Sequence, residues 1–165
     1  ALNTVRSPKD FFFPQTENLM AFKTEGKNIE VIDTRNESED FVVFGVRACD
    51  VKSFDILDRV FLSDPVDSYY ANRRAHGIIV SMACTKPAGT CFCRTFGIDA
   101  ADPEGDVVCW EDGENLYLTA KTEKGEALKE QAMHIPGQLD ECVKLSREEA
   151  AQLRSLLYKI LGTLN

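Results

Sequence analysis

The sequence predicts an α/β fold: a small mixed sheet with a βαβ unit, a β-hairpin and a C-terminal helix. Two short apolar runs, Phe41–Val46 and Gly77–Met82, have the length and β-branched content of buried strands. Between them, from about Val51 to Phe61, Phe54, Leu57 and Phe61 recur at helical spacing with Ile56 and Val60 beside them, while Asp55, Asp58 and Arg59 fall on the other face. Strand, helix and strand in that order make a right-handed crossover, so the two strands are expected to be parallel. Further on, Val107–Trp110 and Asn115–Thr119 flank Asp112-Gly113, the signature of a hairpin turn.

Composition narrows the function classes. At 165 residues, with 44% hydrophobic and 28% charged residues, the chain suits a single α/β domain spanning 1–165, with an arm over 1–18 and a final helix over 146–161. A net charge of −8 opposes binding to a nucleic-acid backbone, which calls for a basic face. No apolar stretch approaches the ~20 residues of a membrane span, and Ala1–Pro8 lacks the apolar core of a signal peptide. Six cysteines are too few for a disulfide scaffold, and their clustering points to metal or redox use in a reducing compartment, hence the cytoplasm.

The elements follow in order. Phe11-Phe12-Phe13-Pro14 would aggregate if exposed, so the arm is expected to lie extended and dock these rings on the core. Leu19–Phe22 and Ile29–Ile32 bracket Gly26 as a hairpin or two short strands, and the acidic run Asn36–Asp40 reads as a solvated loop. Asp50 suits the N-cap of the first helix. Ser63 to Arg74 is expected to be a long connection in which Tyr69 and Tyr70 pack, and Asp99 to Asp106 a surface loop. A helix is expected from about Gly125 to Met133, ended by Pro136-Gly137. Ser146 and Glu149 form a capping box that opens the last helix, whose apolar positions are Leu153, Leu156, Leu157, Ile160, Leu161 and Leu164.

The chemistry concentrates in Cys84-Thr85-Lys86-Pro87-Ala88-Gly89-Thr90-Cys91-Phe92-Cys93 and in Cys49, which follows the first strand. Parallel strands that finish side by side deliver these four thiols to the carboxyl edge of the sheet, where open α/β sheets build their sites. Soft thiolates, one per iron, suit a single [4Fe–4S] cluster, a centre readily lost in air when exposed. Arg47, Lys52, Lys86 and Arg94 all lie within three residues of a proposed ligand and would offset its negative charge. Zinc also accepts four thiolates, although its usual C-x2–4-C knuckles differ from C-x6-C-x-C, and ordinary or redox-active thiols are the other reading. Cys109 and Cys142 read as incidental thiols, and His76 and His134 have no partner at ligand or triad spacing. No paired carboxylates, catalytic triad or phosphate loop stand out, as befits an electron carrier without bond chemistry of its own.

Several segments resemble a known family: Ser7-Pro8-Lys9, Phe12–Glu17, Phe44-Gly45-Val46-Arg47-Ala48-Cys49-Asp50, Ile56–Phe61, Tyr70–Arg74 and Cys91-Phe92-Cys93. They are similar to the electron-transfer subunits that include the A subunit of anaerobic sulfite reductase and the β subunit of sulfhydrogenases. The resemblance runs from about Ser7 to Gly97 and thins to Thr122–Leu128. It implies an iron–sulfur cluster at Cys49, Cys84, Cys91 and Cys93, and a role in anaerobic metabolism within a cytoplasmic oxidoreductase complex. The chain would relay electrons between a flavin- or NAD(P)H-linked partner and a catalytic subunit, with other redox subunits as its partners. Family members usually carry downstream C-x2-C-x2-C-x3-C-P motifs and more chain before the arm, so the chain is expected to be a central fragment of a longer redox subunit or else a shortened relative. Where they usually have Pro, this chain has Ala48. The alternative function is a non-catalytic assembly module, with Phe11–Phe13 and the leucine-rich helix as docking surfaces.

Overall fold

The structure, a computed structural model, describes residues 6–36, 39–113, 115–142 and 146–163. By its internal contacts the chain divides into two compact units, 1–126 and 127–165.

The first unit holds two sheets. Strands β1 (Ala21–Glu25) and β2 (Asn28–Ile32) pair antiparallel across Gly26, whose φ of 63° lets the chain reverse in two residues. The larger sheet has the order β3-β4-β5-β6, from β3 (Phe41–Arg47), β4 (Gly77–Met82), β5 (Val107–Asp112) and β6 (Asn115–Ala120). Its first three strands are parallel and β6 is antiparallel, so the sheet is mixed and the two expected hairpins are both present.

The crossover from β3 to β4 contains two helices, α1 (Ala48–Phe61) and α2 (Ser68–His76). Helix α2 replaces most of the expected long connection. Its polar sequence, with Tyr70 as the buried residue, offers no apolar stripe to read. What starts it is Asp67, whose carboxylate accepts hydrogen bonds from the Tyr69 and Tyr70 amides at 3.0 Å. Helix α1 also departs from expectation. It begins at Ala48 directly from β3, with Arg47 as N-cap, because the Asp50 carboxylate is taken up by Ser7 and Lys9 of the arm. Cys49 therefore lies inside the first turn of α1.

Phe12, Val43, Val46, Val51, Phe54, Tyr70 and Ile79 form the core under α1 and α2. The arm is folded into a 3-10 turn, Pro8–Phe11, and of its three phenylalanines only Phe12 is wholly buried. Phe12 sits edge-on to Phe54 with ring centroids 4.8 Å apart, while half-exposed Phe13 stacks on Phe61 and Phe11 faces solvent. A single turn cannot turn three consecutive side chains inward, so only one docks. Gly77 shows how close Phe12 comes: a Cβ there would lie 2.2 Å from a ring carbon.

A polar cluster closes this core. Arg74 donates to both Asp58 oxygens at 2.8 Å and lies 5.4 Å from the ring centroids of Phe12 and Phe54; the Tyr70 hydroxyl donates to Asp58 at 2.6 Å. Burial pushes the Asp58 carboxyl up, but Arg74 and Tyr70 outweigh it and hold it below its ordinary value. The loop before β5 is not wholly on the surface either. Pro103 is buried, and Asp106 accepts from the Ile79 amide at 2.8 Å and from Thr122 at 2.7 Å.

Helix α3 (Glu123–Cys142) opens at the end of the first unit and supplies much of the second, followed by α4 (Arg147–Thr163). Pro136 does not end α3 as expected. It lacks one amide and so removes one hydrogen bond, and the turns on either side carry the helix through. The capping box is present: the Ser146 amide donates to Glu149 at 2.8 Å and the Glu149 amide to the Ser146 hydroxyl at 3.2 Å. Leu153, Leu156, Leu157 and Tyr158 are about half exposed. Leu164 and the side chains of Cys142, Ile160 and Leu161 lie outside the described residues. None of the described helices is long and apolar enough to cross a membrane.

Candidate functional site

Parallel pairing decides where the site lies. Arg47 at the end of β3 is in register with Met82 at the end of β4, so the residues after both strands emerge at one edge. A bulge at Gly45, with φ 83°, shifts the register between Phe44 and Val46 just before Arg47. Beyond it, the Arg47 guanidinium donates to the Cys84 sulfur at 3.2 Å, joining the two strand ends.

The thiols are held by their local backbone. Cys84 donates its amide to Ala100 O at 2.7 Å, which ties the strand end to the loop before β5. Ala88 and Cys91 close a tight turn: the Cys91 amide donates to Ala88 O at 3.0 Å, and the Ala88 amide donates to the Cys91 sulfur at 3.2 Å. Cys93 opens a 3-10 turn, Cys93–Phe96, which Gly97 closes with φ 64° while the Ile98 amide donates to Cys93 O. Two of the four sulfurs thus already receive N–H bonds, the kind that stabilise a ligating thiolate. Partial burial raises the Cys49 thiol above its ordinary value, and the charges of Asp50 and then Cys93 add to the shift.

Among the described residues, no three His, Cys, Asp or Glu side chains stand close enough together to hold a single metal ion. The sulfurs share an edge without converging on a point. Residues 85–92 are all exposed.

The basic residues differ in their engagement. Arg47 is half-buried against Cys84. Lys52 pairs with Asp55 at 2.7 Å and reaches Glu104 at 3.4 Å, so carboxylates already offset its charge. Lys86 and Arg94 are exposed on the cysteine loop and its 3-10 turn. Cys109 is fully buried in β5, where burial and then Glu111 raise its thiol, as suits an incidental core residue. His76 pairs with Asp40 at 2.8 Å.

Two contributors escaped the reading of the sequence. Asp50, expected as a helix cap, faces the arm, and Lys9 donates to it at 3.3 Å; the motif Ser7-Pro8-Lys9 marked the arm but not its target. A groove of about 930 Å³ runs between the arm and the open edge of β3, lined among others by Phe11, Phe44, Arg47 and Asp50.

Against known proteins, the chain is 34% identical over 122 residues to the sulfhydrogenase 2 subunit beta of Pyrococcus furiosus, a match covering 74% of this chain and 35% of that protein. Three-quarters of this chain is thus similar to about a third of that subunit. A shorter stretch of 55 residues is 44% identical to the organic hydroperoxide resistance transcriptional regulator of Bacillus subtilis, covering 33% of this chain and 37% of that protein. The chain spans about a third of the length of each of these curated relatives. No family model and no solved structure matches it.

Proposed function

We propose that this chain is an iron–sulfur electron-transfer domain of a hydrogenase-type oxidoreductase complex, with Cys49, Cys84, Cys91 and Cys93 as ligands of one [4Fe–4S] cluster. The observation that supports this reading best is the Arg47–Cys84 hydrogen bond across two parallel strand ends, in a relative of a sulfhydrogenase beta subunit. When bound, such a cluster supplies single-electron storage and release. The protein's part is to hold and tune. Arg47 and the Ala88 amide donate hydrogen bonds to the Cys84 and Cys91 sulfurs. Lys86 and Arg94 add positive charge from the loop, and Lys52, already paired, adds least. The chain would pass electrons between a flavin- or NAD(P)H-linked partner and a catalytic subunit of hydrogenase or sulfite reductase type, in the cytoplasm, without making or breaking substrate bonds.

The test is anaerobic expression followed by analysis of iron, sulfide and visible absorbance. Wild-type protein should hold about four iron and four sulfide per chain, and Cys84→Ser or Cys93→Ser should lose most of both. Stoichiometric zinc without iron would reject the reading.

A second reading is favoured by the 55-residue likeness to a transcriptional regulator and by the half-exposed leucines of α4. In it part of the chain is an assembly module whose cysteines hold zinc or nothing. Colourless protein of unchanged stability after Cys→Ser substitution, together with a defined oligomer by light scattering, is its expected signature.

A further inference from the structure

The amino-terminal arm reaches the thiol edge through one side chain. Lys9 Nζ donates to Asp50 Oδ1 and to the Ser53 hydroxyl, both at 3.3 Å, and the Ser7 hydroxyl donates to the same Asp50 oxygen at 3.4 Å. Ser53 in turn donates to the Asp50 carbonyl at 2.6 Å, so Lys9 grips one closed turn of α1. Asp50 follows Cys49 directly in that turn, and the Lys9–Asp50 pair is about one-third exposed. The same arm is anchored from its other side by Phe12, which is wholly buried against Phe54 of the same helix. The clamp therefore fixes the orientation of the turn that presents Cys49. It also covers a carboxylate that would otherwise stand beside a negatively charged centre, an arrangement electrostatics disfavours.

We propose that Lys9 is a positioning residue for the thiolate centre, fastening the arm to the α1 turn that carries Cys49 and cancelling the Asp50 charge next to it. This role rests on the cluster reading above, and it lies in a residue far from the cysteines in sequence. It predicts that the state of the arm sets the properties of the centre, so that arm release would weaken and retune it.

The experiment uses the full chain, anaerobically loaded with iron and sulfide, as wild type, Lys9→Arg, Lys9→Met, Asp50→Asn and Lys9→Met/Asp50→Asn. Two quantities are read: the midpoint potential of the loaded protein, and hydrogen exchange of the metal-free chain in the peptide covering 47–56. Lys9→Met should move the potential negative, because an uncovered carboxylate opposes an added electron, and should speed exchange several-fold. Lys9→Arg should preserve both quantities. Asp50→Asn should move the potential positive, and the double variant should return it towards wild type. Asp50→Asn carries the test alone if Lys9→Met fails to fold. Unmoved potentials in a loaded wild type and its variants overturn the positioning role while leaving the cluster reading intact, and faster exchange without a potential shift does the same. A wild-type chain that takes up no iron rejects the cluster reading itself, and the positioning role with it.

Discussion

Two arginines at opposite ends of the crossover, Arg74 and Arg47, show what this fold does with a buried cation. Arg74 lies between two aromatic rings with both oxygens of Asp58 as acceptors, while Tyr70 completes the carboxylate's shell. Arg47 is half-buried at a strand end, and its partner is a single soft acceptor, the sulfur of Cys84. A guanidinium carries five N–H donors. At Arg74 two of them donate to Asp58 while the cation lies against two rings, as befits a residue that holds elements together. Among the described residues, Arg47 directs a hydrogen bond to the half-buried Cys84 sulfur, at the edge proposed above to hold a cluster. The first region is expected to govern stability and the second, on the function proposed above, retention of a cluster, and the two should be separable.

The sharpest way to break that separation is Phe12→Ala. It removes the ring that seals the Arg74 side and should cost about 3–5 kcal/mol in urea unfolding of the metal-free chain. Asp58→Asn comes next. It takes a charged acceptor from Arg74 and Tyr70 and should cost roughly 2–3 kcal/mol near neutral pH. Asp58 is held below its ordinary value in the folded state, so its contribution is present above the unfolded value of about 4 and is lost as pH falls through the lower folded value. Wild-type stability should therefore drop as pH falls below the unfolded value of about 4, and the drop should be shallower in Asp58→Asn, as urea titrations at several pH values would show. If the acid limb is identical in both, the Arg74 cluster does not set stability.

Smaller effects sharpen the other side. Cys109→Ser buries a hydroxyl in the core of β5 and should cost about 1–3 kcal/mol without changing iron content, separating a packed thiol from a ligand. Arg47→Gln should shift the unfolding midpoint by no more than the equivalent of about 0.5 kcal/mol, yet hasten iron loss to a chelator. A large stability loss there would put Arg47 in the same class as Arg74.

The edge location, the strand pattern and the four thiols were legible because they rest on local rules: β-branched runs between turns, helical spacing of Phe54, Leu57 and Phe61, and the handedness of a crossover. Helix α2 was hidden because eight of its nine residues show no buried face, and its start depends on the Asp67 cap. Pro136 misled because one missing hydrogen bond weakens a long helix without ending it. For the proposed site the sequence offers the cysteines and nearby cations but not their partners: Lys52 turns to Asp55 and Glu104, and Asp50 to Lys9.

By itself the sequence determined which segments become strands, that β3 and β4 run parallel, and hence that Cys49 and the 84–93 loop leave the sheet at a common edge. Only the tertiary structure decided which phenylalanine of the arm is buried, that Arg47 meets Cys84, and that Lys9 reaches the turn of Cys49. The reason is range. Periodicity and turn chemistry act over a few neighbouring residues, whereas these three pairings join groups 37 to 42 positions apart or more, as in Arg47–Cys84 and Lys9–Asp50, whose separations are 37 and 41. Such contacts exist only once the strands and the arm have packed.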